Sequence, residues 1–141
     1  MDDKTRVLAA IDAMTHAFHQ GDIEGIMRTY EPSAVVVGEP GAPVQGDGAL
    51  RAMFAGFVAA KAHFRFDGHE VIVAGDLALH LMPWKMTGVA PDGNPITGAG
   101  LSVAVLRRQA DSSWLMVIDD PYGDASLARA WMSASSDPGA Q

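Results

Sequence analysis

The sequence predicts an α+β fold in which helices from the N-terminal half pack against an antiparallel sheet from the C-terminal half. Up to about residue 61, apolar residues recur every three or four positions, as on the buried face of a helix. From residue 77 to 118, three apolar runs are separated by turn residues, as in an antiparallel meander. A chain of 141 residues with 48% hydrophobic content can bury one core. We therefore expect a single domain over residues 5–123, followed by a short helical or disordered tail over residues 124–141.

The first two helices are expected within residues 5–32. The buried face of the first helix is predicted at positions spaced three and four apart, namely Val7, Ile11, Met14 and Phe18. Gly21 ends this helix, and Asp22 is placed to cap a second, shorter one that ends near Pro32. Tyr30 belongs to the predicted buried set of the second helix.

A short strand, a loop and a third helix are expected next. Ala34 to Val37 is a β-branched run typical of a strand, and the glycines and prolines of residues 38–43 predict a loop. The third helix is expected from near Asp47 to about Lys61. Its predicted apolar stripe consists of Leu50, Met53, Phe54, Phe57 and Val58.

The rest of the chain is expected to form the meander. Residues 64–73 predict a strand interrupted at Asp67-Gly68, and Gly75-Asp76 predicts a tight turn into the next strand. Residues 91–94 and residues 110–113 predict the two later hairpin turns. We therefore expect long strands over about residues 77–87, 96–108 and 114–118.

The hairpin turns predict which side chains share a face of the sheet. If Asp92 and Gly93 form a two-residue turn, His80 pairs with Val105, and a bulge at Pro83 would reverse the facing after it. One face is then expected to carry His80, Met82, Trp84, Leu101, Val103, Met116, Ile118 and Asp120. Both faces are largely apolar, so we expect one to pack on the helices and the outer one to pack on a second copy of the chain, giving a homodimer.

Composition and charge argue against several classes of function. The net charge of -7 and the absence of a basic stripe argue against nucleic-acid binding. The chain lacks cysteine, a glycine-rich phosphate loop and histidines at metal-ligand spacing, so we expect neither a cofactor nor a metal. No apolar run approaches the ~20 residues of a membrane span, and the charged N-terminus does not suggest a signal peptide. A cytoplasmic protein without a membrane partner is the expectation.

Three stretches in the first half of the chain and its C-terminal ending carry a family resemblance. Residues 18–26, the strand after the second helix, and residues 46–54 resemble the nuclear transport factor 2-like superfamily, which includes ketosteroid isomerase. Residues 105–108, with Trp114 and residues 118–121, look more like its SnoaL-like branch. The resemblance covers roughly residues 5–123. It implies a cone-shaped, curved antiparallel sheet wrapped around three helices, a deep apolar pocket at the mouth of the cone, and a dimer.

The resemblance does not carry over the catalytic groups of ketosteroid isomerase. That enzyme uses a carboxylate base with a tyrosine and a protonated aspartic acid as oxyanion donors. The tyrosine position corresponds to Met14, the base position lies near Gly38, and the acid position lies near Leu101 or Val103. We therefore do not expect steroid isomerisation by that mechanism. Glu39, beside the base position, is a loop acid that reaches inward only if the loop shifts.

Three residues are candidates for catalysis. His80 is expected on the inner face, where it could act as a general acid or base, bind a ligand, or bond a backbone carbonyl or Tyr30 as a core residue. An acid at the end of the last strand could orient His80 or contact a ligand. The predicted register favours Asp120 for this role, and the resemblance favours Asp119. The alternative is that both acids simply end the strand.

Two function classes remain open at this point. One is a cofactor-independent isomerase or hydrolase that binds a small hydrophobic metabolite and moves a proton with His80 and Asp119 or Asp120. The other is a non-catalytic small-ligand-binding or dimerisation module. In both, the predicted lining of the pocket is Met14, Phe18, Tyr30, Met53, Phe57, Met82, Trp84, Leu101, Val103, Met116 and Ile118.

Overall fold

The structure is a computed structural model that describes residues 2–125. Its helices are α1 (Asp3–His19), α2 (Ile23–Met27) and α3 (Asp47–Ala59). Its strands are β1 (Tyr30–Glu39), β2 (Ala42–Gln45), β3 (His63–Phe66), β4 (Glu70–Ala74), β5 (Leu77–Val89), β6 (Pro95–Arg108) and β7 (Trp114–Asp120). The predicted α+β architecture is confirmed. The predicted tail lies almost wholly outside the described residues.

The strands form one curved sheet whose inner face packs on the helices. Its order is β2-β1-β7-β6-β5-β3, and β4 pairs with β5 beside β3. All pairs are antiparallel except β1 with β7, which is parallel. Helix α1 contacts β4 and β7, and α3 contacts β1 and β2, so the core lies between the helices and this inner face. No helix within residues 2–125 is long and apolar enough to span a membrane. The cytoplasmic location stays a prediction.

The second helix is shorter than predicted, and Tyr30 lies on a strand. Asp22 caps α2 by accepting a hydrogen bond from the backbone of Gly25 at 2.9 Å. The helix nevertheless ends at Met27, because the backbone then joins the sheet. The carbonyl of Thr29 accepts from the Met116 amide at 2.9 Å, and Tyr30 pairs with Met116 of β7. This pairing over a long sequence distance overrides the local helical pattern.

Residues 38–43 are not the simple loop that their composition predicts. Strand β1 continues through Glu39, and β2 begins at Ala42, so only Pro40 and Gly41 turn the chain. Gly41 has a φ of 76°, a conformation that suits glycine in a tight hairpin. The hairpin edge formed by β1 and β2 lies beside α3 and forms one side of the site described below.

The register of β6 differs by one residue from the prediction. His80 pairs with Ala104 rather than Val105, because the connecting turn spans the five residues 90–94. Asp92 holds this turn by accepting from the Asn94 amide at 3.0 Å, while the Ala90 amide donates to the Asn94 carbonyl at 2.8 Å. Every β6 side chain therefore faces the side opposite to the predicted one. Leu101 and Val103, which were expected inside, face outward, and the buried β6 residues are Ser102, Ala104 and Leu106.

A bulge in β7 changes the facing of its second half. Met116 pairs with Leu106 and Ile118 pairs with Val105, so Val117 is an extra residue on β7. Beyond the bulge, Asp119 is buried and only 6% exposed, whereas Ile118 lies on the outer face and is 45% exposed. Asp120 pairs with Val103 and therefore also belongs to the outer face. The predicted inner positions of Ile118 and Asp120 are wrong.

The predicted facing of four inner residues is confirmed. His80, Met82, Trp84 and Met116 are all buried, with exposed fractions of 0%, 3%, 6% and 0%. Pro83 pairs regularly with Leu101 and is exposed, so the facing of β5 is not reversed there. Pro83 has no amide hydrogen to donate, yet side chains continue to alternate between the two faces of β5 on either side of it. Its carbonyl accepts a hydrogen bond from the Asp67 amide at 3.1 Å.

Candidate functional site

An aromatic cavity of about 100 Å³ lies between α1, α3 and the inner face of the sheet. All five phenylalanines of the chain, both tyrosines and one of its three tryptophans line it. The rings contact one another edge to face: Phe64 lies 5.2 Å from Phe18 and 5.7 Å from Trp84, and Trp84 lies 5.9 Å from Tyr122, between ring centroids. Such a wall favours a flat apolar ligand.

Trp84 is held in place in the wall of this cavity. Its indole nitrogen donates a hydrogen bond to the Pro121 carbonyl at 2.8 Å. Gly100, which pairs with Trp84 across β5 and β6, leaves room for the ring, because a Cβ there would lie 3.0 Å from both the ring and the Pro121 carbonyl. The Tyr122 hydroxyl donates to the Gly38 carbonyl at 3.2 Å. These bonds tie the chain after β7 to the β1 and β5 sides of the cavity wall.

A tyrosine–carboxylate pair lies in the wall of the cavity. The Tyr30 hydroxyl donates to Oδ2 of Asp119 at 2.5 Å, and both residues are buried. Tyr30 reaches this position from the first residue of β1, and Asp119 reaches it from the inward-facing position after the β7 bulge. A carboxylate has two oxygens, so Asp119 retains capacity to interact with a ligand while Tyr30 holds Oδ2.

The surroundings of this pair place the pKa of Asp119 near neutrality. Burial raises the pKa of the Asp119 carboxyl to about 6; the charge of Asp120 adds to the rise, and the hydrogen bond from Tyr30 opposes it. Burial, followed by the charge of Asp119, raises the pKa of Tyr30 well above its ordinary value. Tyr30 therefore keeps its proton at neutral pH and donates, while Asp119 exchanges a proton in the range in which a general base works best.

Few other polar side chains reach the cavity. Ser102 is 8% exposed and lies on β6. It is two residues from Ala104, and Ala104 pairs with Asp119 of β7. Thr15 and His19 come from α1. The ring of His19 accepts from the Phe64 amide at 3.2 Å and stacks on His63 at 4.7 Å, and burial together with His63 and His16 lowers the pKa of His19. Tyr30 is thus the polar group bonded to Asp119, and Ser102 is the inward-facing hydroxyl on the neighbouring strand.

His80 lies in the core, outside the lining of this cavity. Its Nε2 lies 3.0 Å from Nδ1 of His69, and its Nδ1 is buried without a hydrogen-bond partner among the described residues. Burial and the neighbouring His69 lower the pKa of His80 to about 4. The structure does not bring His80 together with an acid, because Ala104 lies between His80 and Asp119 in the sheet.

The predicted ligand-binding residues divide into three groups. Those that line the cavity are Met14, Phe18, Tyr30, Met53, Phe57 and Trp84. Met82 and Met116 are buried in the core below it, outside its lining. The three that face the other side of the sheet are Leu101, Val103 and Ile118. The last group was misplaced by the one-residue difference in β6 and the bulge in β7.

The sequence prediction missed Ser102 and the pairing of Tyr30 with Asp119. Ser102 carries a signal that could have identified it, since it is the one hydroxyl residue in the apolar run from Leu101 to Leu106. The pairing carries no such signal, because its members lie 89 residues apart and meet only through the parallel pairing of β1 with β7. Glu39, beside the position expected for a base, is exposed and does not line the cavity.

Comparison with known families identifies the chain. The model of the SnoaL-like domain matches residues 11–112, well over half of the sequence. The chain belongs to the SnoaL-like domain family. No curated protein matches it significantly. Within residues 2–125 of this SnoaL-like protein, no three histidine or acidic side chains are placed to hold a metal ion together.

Several solved structures share the fold of this SnoaL-like domain. A candidate aromatic ring hydroxylase from Novosphingobium aromaticivorans is 22% identical with a TM-score of 0.74, covering 84% of this chain and 86% of that one. A candidate dehydratase of the nuclear transport factor 2-like family from Streptomyces avermitilis is 21% identical with a TM-score of 0.71, covering 84% of this chain and 93% of that one. A ketosteroid isomerase-like protein from Erwinia carotovora atroseptica is 20% identical with a TM-score of 0.70, covering 82% and 92%. At these identities the similarity shows the fold.

Proposed function

We propose that this protein binds a small hydrophobic carbonyl compound in the aromatic cavity and moves a proton on it without a cofactor, with Asp119 as the general base. The observation that supports this most directly is the buried hydrogen bond from Tyr30 to Asp119 in the cavity wall. A carboxylate with a pKa of about 6 is largely ionised at neutral pH and still basic enough to accept a proton from carbon next to a carbonyl.

In this proposal three side chains have separate roles in one reaction. Asp119 removes a proton from the carbon beside the carbonyl, and the electron pair of that C–H bond moves toward the carbonyl oxygen to give an enolate. Where the substrate has a carbon–carbon double bond next to that carbon, the product is a dienolate, and returning the proton to its far carbon gives isomerisation. Ser102 is the candidate donor to the developing oxygen anion, and Tyr30 is a positioning residue that holds the carboxylate through Oδ2.

The size of the cavity sets the size of the reacting part of the substrate. A cavity of about 150 Å³ lined by apolar side chains accommodates benzene. The cavity of about 100 Å³ here is smaller, so it sets an upper limit of a single small ring or an equivalent planar group and does not suit a polycyclic one. The hydrolase alternative uses the same carboxylate to activate a water molecule, and it gives no proton exchange on carbon.

Hydrogen exchange on a model ketone tests the proposal. In heavy water, wild-type protein is expected to catalyse deuterium incorporation beside the carbonyl of cyclohexanone, followed by NMR. Asp119→Asn keeps the shape but removes the base, so the rate is expected to fall by about 10²–10⁴-fold. The matched control Asp12→Asn, an exposed α1 acid away from the cavity, should retain the wild-type rate.

The other outcomes of this experiment are equally informative. Binding of cyclohexanone without exchange would contradict the base role and support the non-catalytic ligand-binding module. Exchange that survives Asp119→Asn would assign the proton transfer to another group. His80→Gln should leave the rate unchanged, because His80 lies outside the cavity lining.

We also propose a homodimer through the outer face of the sheet. One row of outward-facing aliphatic side chains crosses five strands in register: Ile72, Leu79, Val105, Ile118 and Val35. Ile72 and Ile118 are 51% and 45% exposed, which is unusual for a continuous apolar row in an isolated domain. Arg107 lies on one side of this row, and Glu70 and Asp120 lie on the other side. If the two-fold axis of the dimer runs along the row, the side with Arg107 in one copy faces the side with the two acids in the other copy.

Substitution within this row should separate the two copies. In Ile118→Lys, a charge enters the apolar interface, so sedimentation should shift from the mass of a dimer to that of a monomer. Val89→Lys, equally exposed but outside the row, is the matched control and should remain dimeric. A wild-type protein that sediments as a monomer at all accessible concentrations would contradict the proposed interface.

A further inference from the structure

A second apolar depression adjoins the aromatic cavity. This groove of about 440 Å³ lies between the β1–β2 hairpin, the second half of α3 and the ends of β5 and β6. Small and aliphatic side chains form it, among them Val44, Ala60 and Ile96. Its one charged lining residue is Glu39, which is exposed at the rim. The groove is therefore suited to an uncharged, flexible apolar group.

The groove and the cavity share a wall made of side chains. Gly38, Met53, Phe57 and Met86 line both spaces. Met53 lies directly over Gly38, because a Cβ at that position would be 2.7 Å from the Met53 sulfur. The base position implied by the family resemblance is thus filled by a thioether rather than a carboxylate.

Two of the four residues in this wall are methionines. Met53 and Met86 are both partly exposed, and methionine side chains have three freely rotating bonds and no branching. Rotation of the two thioethers would widen the passage between the cavity and the groove. A substrate with its carbonyl beside Asp119 could then extend a chain past Met53 into the groove.

We infer that the substrate is a small ring or planar carbonyl head that bears an uncharged alkyl or similar aliphatic tail, with the head in the aromatic cavity and the tail in the groove. This inference rests on the proposed function, because it takes the head to be held beside Asp119. Met53, with Gly38 beneath it, is the residue that sets whether the tail passes. An anionic tail end is disfavoured by the carboxylate of Glu39 at the rim.

A series of 4-alkylcyclohexanones tests the inference by calorimetric binding. With cyclohexanone, 4-propylcyclohexanone and 4-pentylcyclohexanone, affinity for the wild type should rise about fourfold per methylene, as expected for burial of an apolar chain. Val44→Trp and Ile96→Trp fill the groove from two different strands and do not line the cavity. Each should abolish the gain from the tail and leave cyclohexanone affinity unchanged. The control Val73→Trp, exposed and outside both spaces, should behave as the wild type.

The outcomes separate this inference from the proposed function. If cyclohexanone undergoes exchange but a longer tail adds no affinity in the wild type, the tail site is wrong and the base role stands. If the tail adds affinity equally in wild type, Val44→Trp and Ile96→Trp, the chain binds elsewhere and the inference is overturned. If cyclohexanone neither binds nor undergoes exchange while the tailed ketones bind through the groove, the proposed function fails and the groove site stands.

Discussion

The rate of proton exchange on cyclohexanone is expected to rise with pH through a midpoint near 6 and to level off above pH 7, because Asp119 acts as a base only when ionised and burial raises its pKa to about 6. Below the midpoint the rate should fall about tenfold per pH unit. The measurement is the rate at protein and ketone concentrations well below saturation between about pH 4 and 8, because this rate reports the protein without bound ketone.

Two variants assign this midpoint to Asp119. The hydrogen bond from Tyr30 lowers the pKa of Asp119, so Tyr30→Phe should move the midpoint upward in addition to slowing the reaction. A purely structural role of Tyr30 would change the rate and leave the midpoint in place. His19 also lines the cavity and has a lowered pKa, so His19→Asn is the control and should retain the wild-type midpoint. A midpoint that disappears in His19→Asn would contradict the assignment.

The second large effect is expected in the pH dependence of stability, where two buried groups act in opposite directions. The pKa of His80 is lowered from 6.5 to about 4, so the unfolded state binds the proton more tightly and stability is lost as the pH falls through this window. The pKa of Asp119 is raised from 3.8 to about 6, so the folded state binds the proton more tightly and stability is lost as the pH rises. Each effect amounts to about 3 kcal/mol across its window.

The two effects nearly cancel in the wild type, and single substitutions should reveal them. His80→Leu should show a free energy of unfolding that falls as pH rises from about 4 to 7, because only the Asp119 effect remains. Asp119→Asn should show the opposite slope. Urea unfolding at a series of pH values measures both. Parallel pH profiles for the wild type and either variant would show that the substituted group does not titrate with the shifted pKa.

Most of the fold follows from local sequence patterns. The helix of residues 3–19 and that of residues 47–59 carry apolar stripes with helical spacing, and the long strands are bounded by clear turn residues. The failures occur where distant parts of the chain decide the outcome. Tyr30 leaves a helical pattern because it pairs with Met116, far along the sequence. Local propensity contains no information about that partner.

The site was predicted less well, for a reason specific to sheets. Turn length and bulges decide which face a side chain occupies, and an error of one residue inverts a whole strand. The five-residue turn around Asp92 misplaced Leu101 and Val103, and it concealed Ser102. The cavity residues on helices, such as Met14 and Phe57, were assigned correctly because helical facing depends only on local spacing.

The extra residue in β7 also has an evolutionary consequence. Val117 is the residue that turns Asp119 rather than Asp120 toward the cavity, since regular pairing from Met116 onward would place Asp119 opposite Val103 on the outer face. If a small change in local pairing removed this bulge, Asp120 would face inward and Asp119 would face outward, with no substitution of either residue. Relatives of this protein can therefore differ in whether they present an inward acid even when both aspartates align. In such comparisons, the pairing of β7 with β6 is more informative than the identity of the residue.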